Sequence, residues 1–222
     1  MGPVSAVGGT ALDADAARAW VRRFAELVQE SAVELTDLDR PIGDSDHGVN
    51  LRRGAVAVLA ALDGPDAPAT AADVLRAAGT TLVSTVGGAS GPLYGTALRR
   101  VGKALVGVDA AGGPELARAL RAGVDAVVRL GGAEVGDATM VDALLPAVEA
   151  LEREVAAGTA LPEAVGAAVR AAQEGAESTD ALVARKGRAS YLGERSAGHR
   201  DPGAVSSVLL LRALADALGG PA

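Results

Sequence analysis

Apolar residues recur along most of the chain at the three- and four-residue spacing of an α-helix. In the first such segment, a period close to 3.6 residues links Ala17, Trp20, Phe24, Val28 and Leu35. Asp13 precedes them, and its carboxylate can accept hydrogen bonds from the free N–H groups of a first helical turn. Alternating runs rich in Val, Ile and Thr, which would indicate strands, do not occur. The pattern therefore predicts an all-α protein.

The same periodicity predicts eight helices joined by loops rich in glycine and proline. These helices cover residues 13–37, 47–62, 70–84, 91–106, 114–130, 139–157, 162–185 and 203–218. A chain of 222 residues can bury one sizeable core, so residues 13–222 are predicted to form a single domain. Residues 1–12 are predicted to form a flexible tail.

The odd-numbered and even-numbered loops differ in their residue types. Short loops favour antiparallel neighbours, so odd-numbered loops are expected at one end of the bundle and even-numbered loops at the other. The odd loops read "LDRPIGDSDHG", "TVGGASGP", "LGGAEVGDATM" and "RKGRASYLGERSAGHRDPG". They contain both histidines and the clusters of acidic and basic residues, whereas the even loops contain ordinary cap and turn residues. The candidate chemistry is therefore predicted to gather at one end.

Composition narrows the classes of partner and compartment. Hydrophobic residues make up 49% and aromatic residues 2%, which favours closely packed helices with a core of Ala, Val and Leu. A net charge of −7 argues against a nucleic-acid partner. The absence of cysteine excludes disulfides, thiolate nucleophiles and cysteine-based zinc sites. With neither a secretory signal nor an apolar run of about 18 residues, we expect a cytoplasmic protein without a membrane partner.

The first odd loop brings three carboxylates together in the sequence. A single aspartate here would be explained by solvation or by capping of the next helix. Three of them, Asp39, Asp44 and Asp46, are costly to pack together unless a cation neutralises them. Oxygen ligands of this kind suit Mg²⁺, Ca²⁺ or Mn²⁺. An EF-hand loop is excluded, because Val49 and Ala55 stand where its glycine and glutamate belong. The loop is therefore a candidate site for hard divalent cations.

The other odd loops suggest a phosphate-bearing ligand. Ser90, in "GGASG", can cap the next helix, whose N-terminal end favours an anion. A Walker A loop is excluded, because the only Gly-Lys pair that could end one, at 102–103, is followed by Ala104. A G-x-S-x-G elbow is excluded because Pro92 takes its last position. His47 is interpreted as a contact to phosphate or to a metal-bound substrate. Met140 is a candidate to line an apolar pocket for a base, although it could equally belong to the core. The last loop is solvated or binds a polyphosphate through Arg185, Lys186, Arg188, Arg195, His199 and Arg200.

Together, "LDRPIGDSDHGVN", "GGASGPLYGT", "GDATM" and "RKGRASYLGERSAGHRDPG" resemble the signature segments of the dihydroxyacetone kinase L subunit family. The resemblance implies a closed barrel of eight antiparallel helices with ADP or ATP at one mouth. The family's aspartates that hold two Mg²⁺ ions match Asp39, Asp44 and Asp46. The implied nucleotide contacts are His47, Gly48, Val49, Asn50, Ala89, Ser90, Gly91, Gly131, Met140, Arg188, Asp201, Pro202 and Gly203.

Two branches of this family imply different phosphate sources. In one branch the nucleotide domain is fused to a dihydroxyacetone-binding domain and uses ATP directly. In the other, a separate L subunit keeps ADP as a coenzyme, and a phosphohistidine-bearing M subunit of the phosphotransferase system recharges it. The phosphoryl group then passes to dihydroxyacetone on the K subunit, a step of glycerol metabolism. The chain resembles the separate L subunit, and its length is expected to leave no room for the substrate domain.

No residue of this chain is expected to act as a general base, because positioning and charge neutralisation carry phosphoryl transfer. Two alternatives stay open. The first is an ATP-dependent kinase component for a related ketose. The second is a non-catalytic nucleotide-binding regulatory module, because the resemblance also implies contact with a transcription regulator.

Overall fold

The computed structural model describes residues 10–64 and 68–219, which form helices joined by loops. The prediction of an all-α protein is confirmed. The described α-helices are α1 (Ala14–Glu30), α2 (Ala32–Asp39), α3 (His47–Leu62), α4 (Ala71–Thr85), α5 (Ser90–Ala104), α6 (Gly113–Gly131), α7 (Met140–Ala156), α8 (Leu161–Ser178) and α9 (Pro202–Ala217). Two short 3₁₀ segments lie between α8 and α9, at Thr179–Ala181 and Arg188–Ser196.

The helices pack as a closed ring. Each helix from α3 to α8 packs against the next one in the chain, and α1 packs against both α3 and α9. The core between them consists mainly of Ala, Val and Leu, with Trp20 and Tyr94 as its largest fully buried side chains. The buried indole of Trp20 donates from Nε1 to the carbonyl oxygen of Leu210 at 2.8 Å, so its one polar atom is satisfied.

The first predicted helix is in fact two helices, and this prediction was wrong. Ser31 has φ −95° and ψ 5°, outside the helical region, and the chain changes direction there. The bend brings the carbonyl oxygen of Ala32 against Gly48 of α3, where a Cβ atom would overlap it. Helical propensity is continuous across Ser31, so the pattern of apolar residues could not reveal the break. The bend places Asp39 at the C-terminal end of α2.

The predicted helix over 162–185 was too long, because α8 ends at Ser178. Thr179 is buried, and its hydroxyl donates to the carbonyl oxygen of Ala176 at 2.6 Å. The same hydroxyl accepts from the N–H of Asp201 at 3.0 Å, which ties the end of α8 to the start of α9. These bonds replace the next helical turn, and the chain enters the last odd loop.

Leu12 belongs to the packed part of the chain, although the sequence placed it at the end of a flexible tail. Its side chain is buried, and its backbone exchanges two hydrogen bonds with Ala111, at 2.8 and 3.0 Å. Residues 1–9 of the predicted tail lie outside the described residues. Among the helices that are described, none is long and apolar enough to cross a membrane.

Glycines let the backbones of α4 and α5 touch. A Cβ atom on Gly95 would lie 2.5 Å from the carbonyl oxygen of Gly79 and would overlap a methyl group of Val83. We expect Gly95→Ala to lower the free energy of unfolding by about 1–3 kcal/mol, as overpacking does, even though alanine is the better helix former. Urea titration of this variant and of Gly64→Ala, whose Cβ would meet nothing closer than 3.6 Å, measures the effect. Equal midpoints for the two variants would contradict the close packing of α4 and α5.

Candidate functional site

A cavity of about 250 Å³ opens at the end of the bundle where the odd-numbered loops meet. Each of these loops contributes to its lining, as illustrated by Asp44, Gly88, Thr139 and Arg188. The prediction that the odd loops gather at one end is therefore confirmed. The cavity combines an acidic wall, the hydroxyl groups of Ser90, Tyr94 and Thr139, and an apolar wall.

The acidic wall is formed by the three predicted aspartates. Asp39, Asp44 and Asp46 each offer a carboxylate oxygen, and these oxygens lie within 4.8 Å of one another. Oδ2 of Asp39 accepts from the N–H of Asp46 at 2.9 Å and from the N–H of His47 at 3.3 Å. The first turn of α3 therefore holds the carboxylate of Asp39 in place. Between the other two, Ser45 has a φ of 61°, a left-handed conformation that is uncommon outside glycine and often found at functional sites.

The electrostatics of this wall fit a divalent cation. Burial raises the pKa of Asp46, and the negative charges of Asp44 and Asp39 raise it further, against a hydrogen bond from Asn50 that lowers it. Arg188 places Nη2 2.8 Å from Oδ2 of Asp44 and offsets one of the negative charges. Three clustered carboxylates form the oxygen donor set that Mg²⁺ prefers. The residues present therefore fit the metal site that the sequence predicts.

His47 lies beside the acidic wall, and hydroxyl groups engage both of its ring nitrogens. Nδ1 is 3.1 Å from Oγ of Ser90, and Nε2 is 2.9 Å from Oγ of Ser206. Burial lowers the pKa of His47 to about 4, against the opposing charge of Asp39, so the ring is neutral at pH 7. Both ring nitrogens already have hydroxyl partners, so the imidazole is not available as a metal ligand, and contact of His47 with a phosphate stays a prediction.

The opposite wall is apolar. Met140, the first residue of α7, is buried and lines the cavity beside Leu93, Val127 and Val141. Such a surface suits the flat face of a base or another apolar group. The side chain of Met140 therefore lies where a pocket was predicted rather than in the core alone.

The start of α9 forms the floor of the cavity. Asp201 caps this helix, because its Oδ2 accepts from the N–H of Ala204 at 2.6 Å. Burial raises the pKa of Asp201 to about 7, and the negative charges of Asp142 and Asp39 add to the rise. Asp142 is itself held by the N–H groups of Gly136, at 2.6 Å, and Thr139, at 2.7 Å.

A small apolar cluster joins three of the four odd loops at the rim. It contains Ile42 of the first loop, Ala138 of the third of these loops, and Ala184 and Ala189 of the last one. The buried hydroxyl of Ser196 accepts from the N–H of Ala184 at 2.9 Å, which folds the last loop back on itself. This cluster places Arg188 over the acidic wall.

Most of the predicted site residues line the cavity. Those that do are Asp39, Asp44, Asp46, His47, Ala89, Ser90, Gly131, Met140, Arg188, Asp201, Pro202 and Gly203. Gly48 and Gly91 instead allow close backbone packing, since a Cβ atom on either would overlap a carbonyl oxygen, of Ala32 and Val86 respectively. Val49 points to solvent, and Asn50 accepts from Arg53 at 2.8 Å. For these last four residues, contact with a nucleotide stays a prediction.

The sequence interpretation missed part of the site and misassigned one residue. Ser90 is the first residue of α5 but makes no side-chain cap, because its hydroxyl contacts His47 instead. Tyr94 and Ser206 were not predicted, although the hydroxyl group of Ser206 contacts both the ring of His47 and the hydroxyl group of Tyr94. The available signal was a pair of serines inside the apolar run "AVSSVLLLRALADAL".

Comparisons with known proteins agree with this geometry. A model of the DAK2 domain matches residues 41–216. The chain is 43% identical over 200 residues to the PEP-dependent dihydroxyacetone kinase, ADP-binding subunit DhaL, of Escherichia coli. This alignment covers 88% of this chain and 93% of that subunit. It is 41% identical over 196 residues to the L-erythrulose 1-kinase of Mycolicibacterium smegmatis, covering 88% of this chain and 34% of that kinase.

A solved structure shares the fold. The dihydroxyacetone kinase from C. freundii, in complex with AMP-PNP and Mg²⁺, superposes with a TM-score of 0.70 at 27% identity. The match covers 97% of this chain and 36% of that one. That kinase therefore contains a further region with no counterpart in the matched residues.

Proposed function

Since the chain belongs to the DAK2-domain family, we propose that it is the phosphotransferase subunit of a dihydroxyacetone kinase that holds ADP with two Mg²⁺ ions as a coenzyme. The observation that carries this proposal is the convergence of Asp39, Asp44 and Asp46 on one cavity with an apolar wall opposite them. The similarity to the Escherichia coli protein, which is named as an ADP-binding subunit, supports it.

Different residues around the cavity bind the cations, the phosphates and the base. Asp39, Asp44 and Asp46 hold the cations, which when bound neutralise charge on the phosphate oxygens during transfer. The N-terminal end of α5 and the hydroxyl of Ser90 face the phosphates, where free N–H groups favour an anion. Arg188, now paired with Asp44, is placed to pair with phosphate as well. The apolar wall at Met140 receives the base.

The reaction has two transfers at this site. In the first, the nitrogen–phosphorus bond of a phosphohistidine on the M subunit breaks, and an oxygen of the ADP β-phosphate forms the new bond. In the second, the γ-phosphoryl group passes to a hydroxyl oxygen of dihydroxyacetone on the K subunit, and ADP stays bound. The chain supplies position and charge neutralisation for both, and the acceptor hydroxyl loses its proton to a group on the K subunit.

Mass spectrometry of the nucleotide released from the protein tests this assignment. After incubation with a phosphorylated M subunit and Mg²⁺, we expect bound ADP to become ATP in a single turnover. The unphosphorylated M subunit serves as the control and should leave ADP unchanged. If bound ADP never becomes ATP, the coenzyme proposal is refuted. That result is the one expected of the alternative, a non-catalytic nucleotide-binding module.

A second candidate is a kinase component for a related ketose that uses free ATP. The similarity to L-erythrulose 1-kinase favours it. Mixing the protein with a K subunit, ketose and ATP, without a phosphohistidine donor, separates the two functions. Rapid multiple turnover in that mixture would replace the coenzyme proposal with this one.

A further inference from the structure

A chain of hydroxyl groups connects the buried core to the cavity through His47. The hydroxyl oxygen of Tyr94 lies 2.7 Å from Oγ of Ser206, which lies 2.9 Å from Nε2 of His47. On the other side of the ring, Nδ1 lies 3.1 Å from Oγ of Ser90, which lines the cavity. Tyr94 is 1% exposed and Ser206 is 0% exposed, so the contact between their hydroxyl groups is buried.

Ser207, the neighbour of Ser206, is equally buried but belongs to a different branch. Its hydroxyl donates to the carbonyl oxygen of Gly203 at 2.8 Å and lies 3.1 Å from the hydroxyl of Tyr94. Oγ of Ser206 is 3.1 Å from the same carbonyl oxygen of Gly203. The hydroxyl of Ser206 therefore has more than one acceptor within reach. Whether it donates to His47 or accepts from it depends on how many protons the neighbouring groups can donate.

Each hydroxyl has one proton to donate, and a neutral imidazole has one N–H. Two arrangements satisfy the hydroxyl contacts of His47, whose ring also lies within hydrogen-bond reach of the backbone of Pro202. In the first, Ser206 donates to Nε2, the ring carries its proton on Nδ1 and donates to Ser90, and Tyr94 donates to Ser206. In the second, the ring donates from Nε2 to Ser206, and Ser90 donates to Nδ1.

The two arrangements leave Ser90 in different states. In the second, the only proton of the Ser90 hydroxyl is used on His47, so Ser90 can present only lone pairs to the cavity. A phosphate accepts hydrogen bonds and repels lone pairs. In the first, Ser90 receives a hydrogen bond from His47 and keeps its own proton for a phosphate oxygen. Donation from Ser90 to a phosphate therefore requires the first arrangement.

We propose that Ser206 is a positioning residue that holds His47 with its proton on Nδ1, so that the Ser90 hydroxyl is free to donate to a nucleotide phosphate. This inference rests on the proposed binding of ADP at the cavity. Tyr94 supports it by donating to Ser206 from the core, which leaves the proton of Ser206 for His47. The four side chains thus form one directed series of hydrogen bonds that ends at the ligand.

Nitrogen-15 NMR of the wild-type protein with Mg²⁺ and ADP tests the proton position directly. The chain contains two histidines, so a His199→Gln variant assigns the remaining signals to His47. We expect the pattern of a neutral ring protonated on Nδ1. A ring protonated on Nε2, or on both nitrogens, overturns the inference, and this measurement does not depend on any variant at Ser206 being folded.

Binding of Mg²⁺ and ADP by Ser206→Ala, compared with Ser207→Ala, supplies the second test. Both variants remove one buried hydroxyl from adjacent positions of α9, so both carry a similar cost in stability. We expect Ser206→Ala to weaken ADP binding about 10-fold, the size of one hydrogen bond to a charged group, and to change the His47 spectrum. Ser207→Ala should change neither.

The outcomes separate this inference from the proposed function. A wild-type protein that does not bind Mg²⁺ and ADP refutes the proposed function. A wild-type protein that binds them, with Ser206→Ala and Ser207→Ala binding equally well, refutes the role of Ser206 alone.

Discussion

The Asp44→Asn variant is expected to lose at least about 100-fold in its affinity for ADP in the presence of Mg²⁺. Changes to groups around a metal ligand already cost about 10–100-fold, and this variant removes one of three clustered carboxylates. It also leaves Arg188 without the carboxylate that it contacts at 2.8 Å. Isothermal titration calorimetry with ADP, at fixed Mg²⁺ and again in EDTA, measures the effect.

Asp37→Asn provides a matched control for the loss of one negative charge. Asp37 lies two residues before Asp39 on α2, and its carboxylate pairs with Arg40 at 2.7 Å on the exposed surface. We expect this variant to bind ADP as the wild type does. In EDTA, the wild type should fall to the level of Asp44→Asn, because the carboxylate acts through the metal. A deficit in Asp44→Asn that persists unchanged in EDTA, or a variant that binds like Asp37→Asn, would refute the metal site.

The sequence predicted the position of the site because, in an antiparallel bundle, all odd-numbered loops lie at one end and all even-numbered loops at the other. If successive predicted helices run in opposite directions, the loops that contain Asp44, Ser90, Thr139 and Arg188 all lie at one end of the bundle, and all four residues line the cavity. The break at Ser31 did not disturb this result, because α1 and α2 together still carry the chain from one end to the other. A break that reversed the chain would have moved every later loop to the wrong end.

The sequence could not predict contacts that depend on the depth of a residue in the core. Tyr94 lies in α5 and Ser206 in α9, and the spacing of apolar residues in these helices does not single out either residue. Only the folded structure shows that their hydroxyl oxygens lie 2.7 Å apart. Gly48 and Asn50 adjoin His47 in the sequence, and contact of either residue with a nucleotide stays a prediction. In the structure Gly48 packs against the carbonyl oxygen of Ala32, and the amide oxygen of Asn50 accepts from Arg53.

A second large effect on ADP binding is expected at Gly43, because this glycine makes room for the carboxylate of Asp39. A Cβ atom on Gly43 would overlap Oδ1 of Asp39 and lie 2.7 Å from its Cγ. The backbone of Gly43 is not in the left-handed region, so alanine can adopt its conformation and the only conflict is with Asp39. We expect Gly43→Ala to weaken ADP binding in Mg²⁺ by about 10–100-fold, as displacement of groups at a metal site does, measured by the same calorimetry.

The Gly43→Ala effect should act through Asp39, and a double-mutant cycle tests this route. If the added methyl group works only by moving the Asp39 carboxylate, Gly43→Ala should add nothing to Asp39→Asn, so the two losses would be strongly non-additive. Excess Mg²⁺ should partly restore Gly43→Ala, in which all three carboxylates remain, but not Asp39→Asn. Gly64→Ala, at the other end of the bundle, should bind normally. Additive losses for Gly43→Ala and Asp39→Asn would show that Gly43 serves the site in some other way than by making room for Asp39.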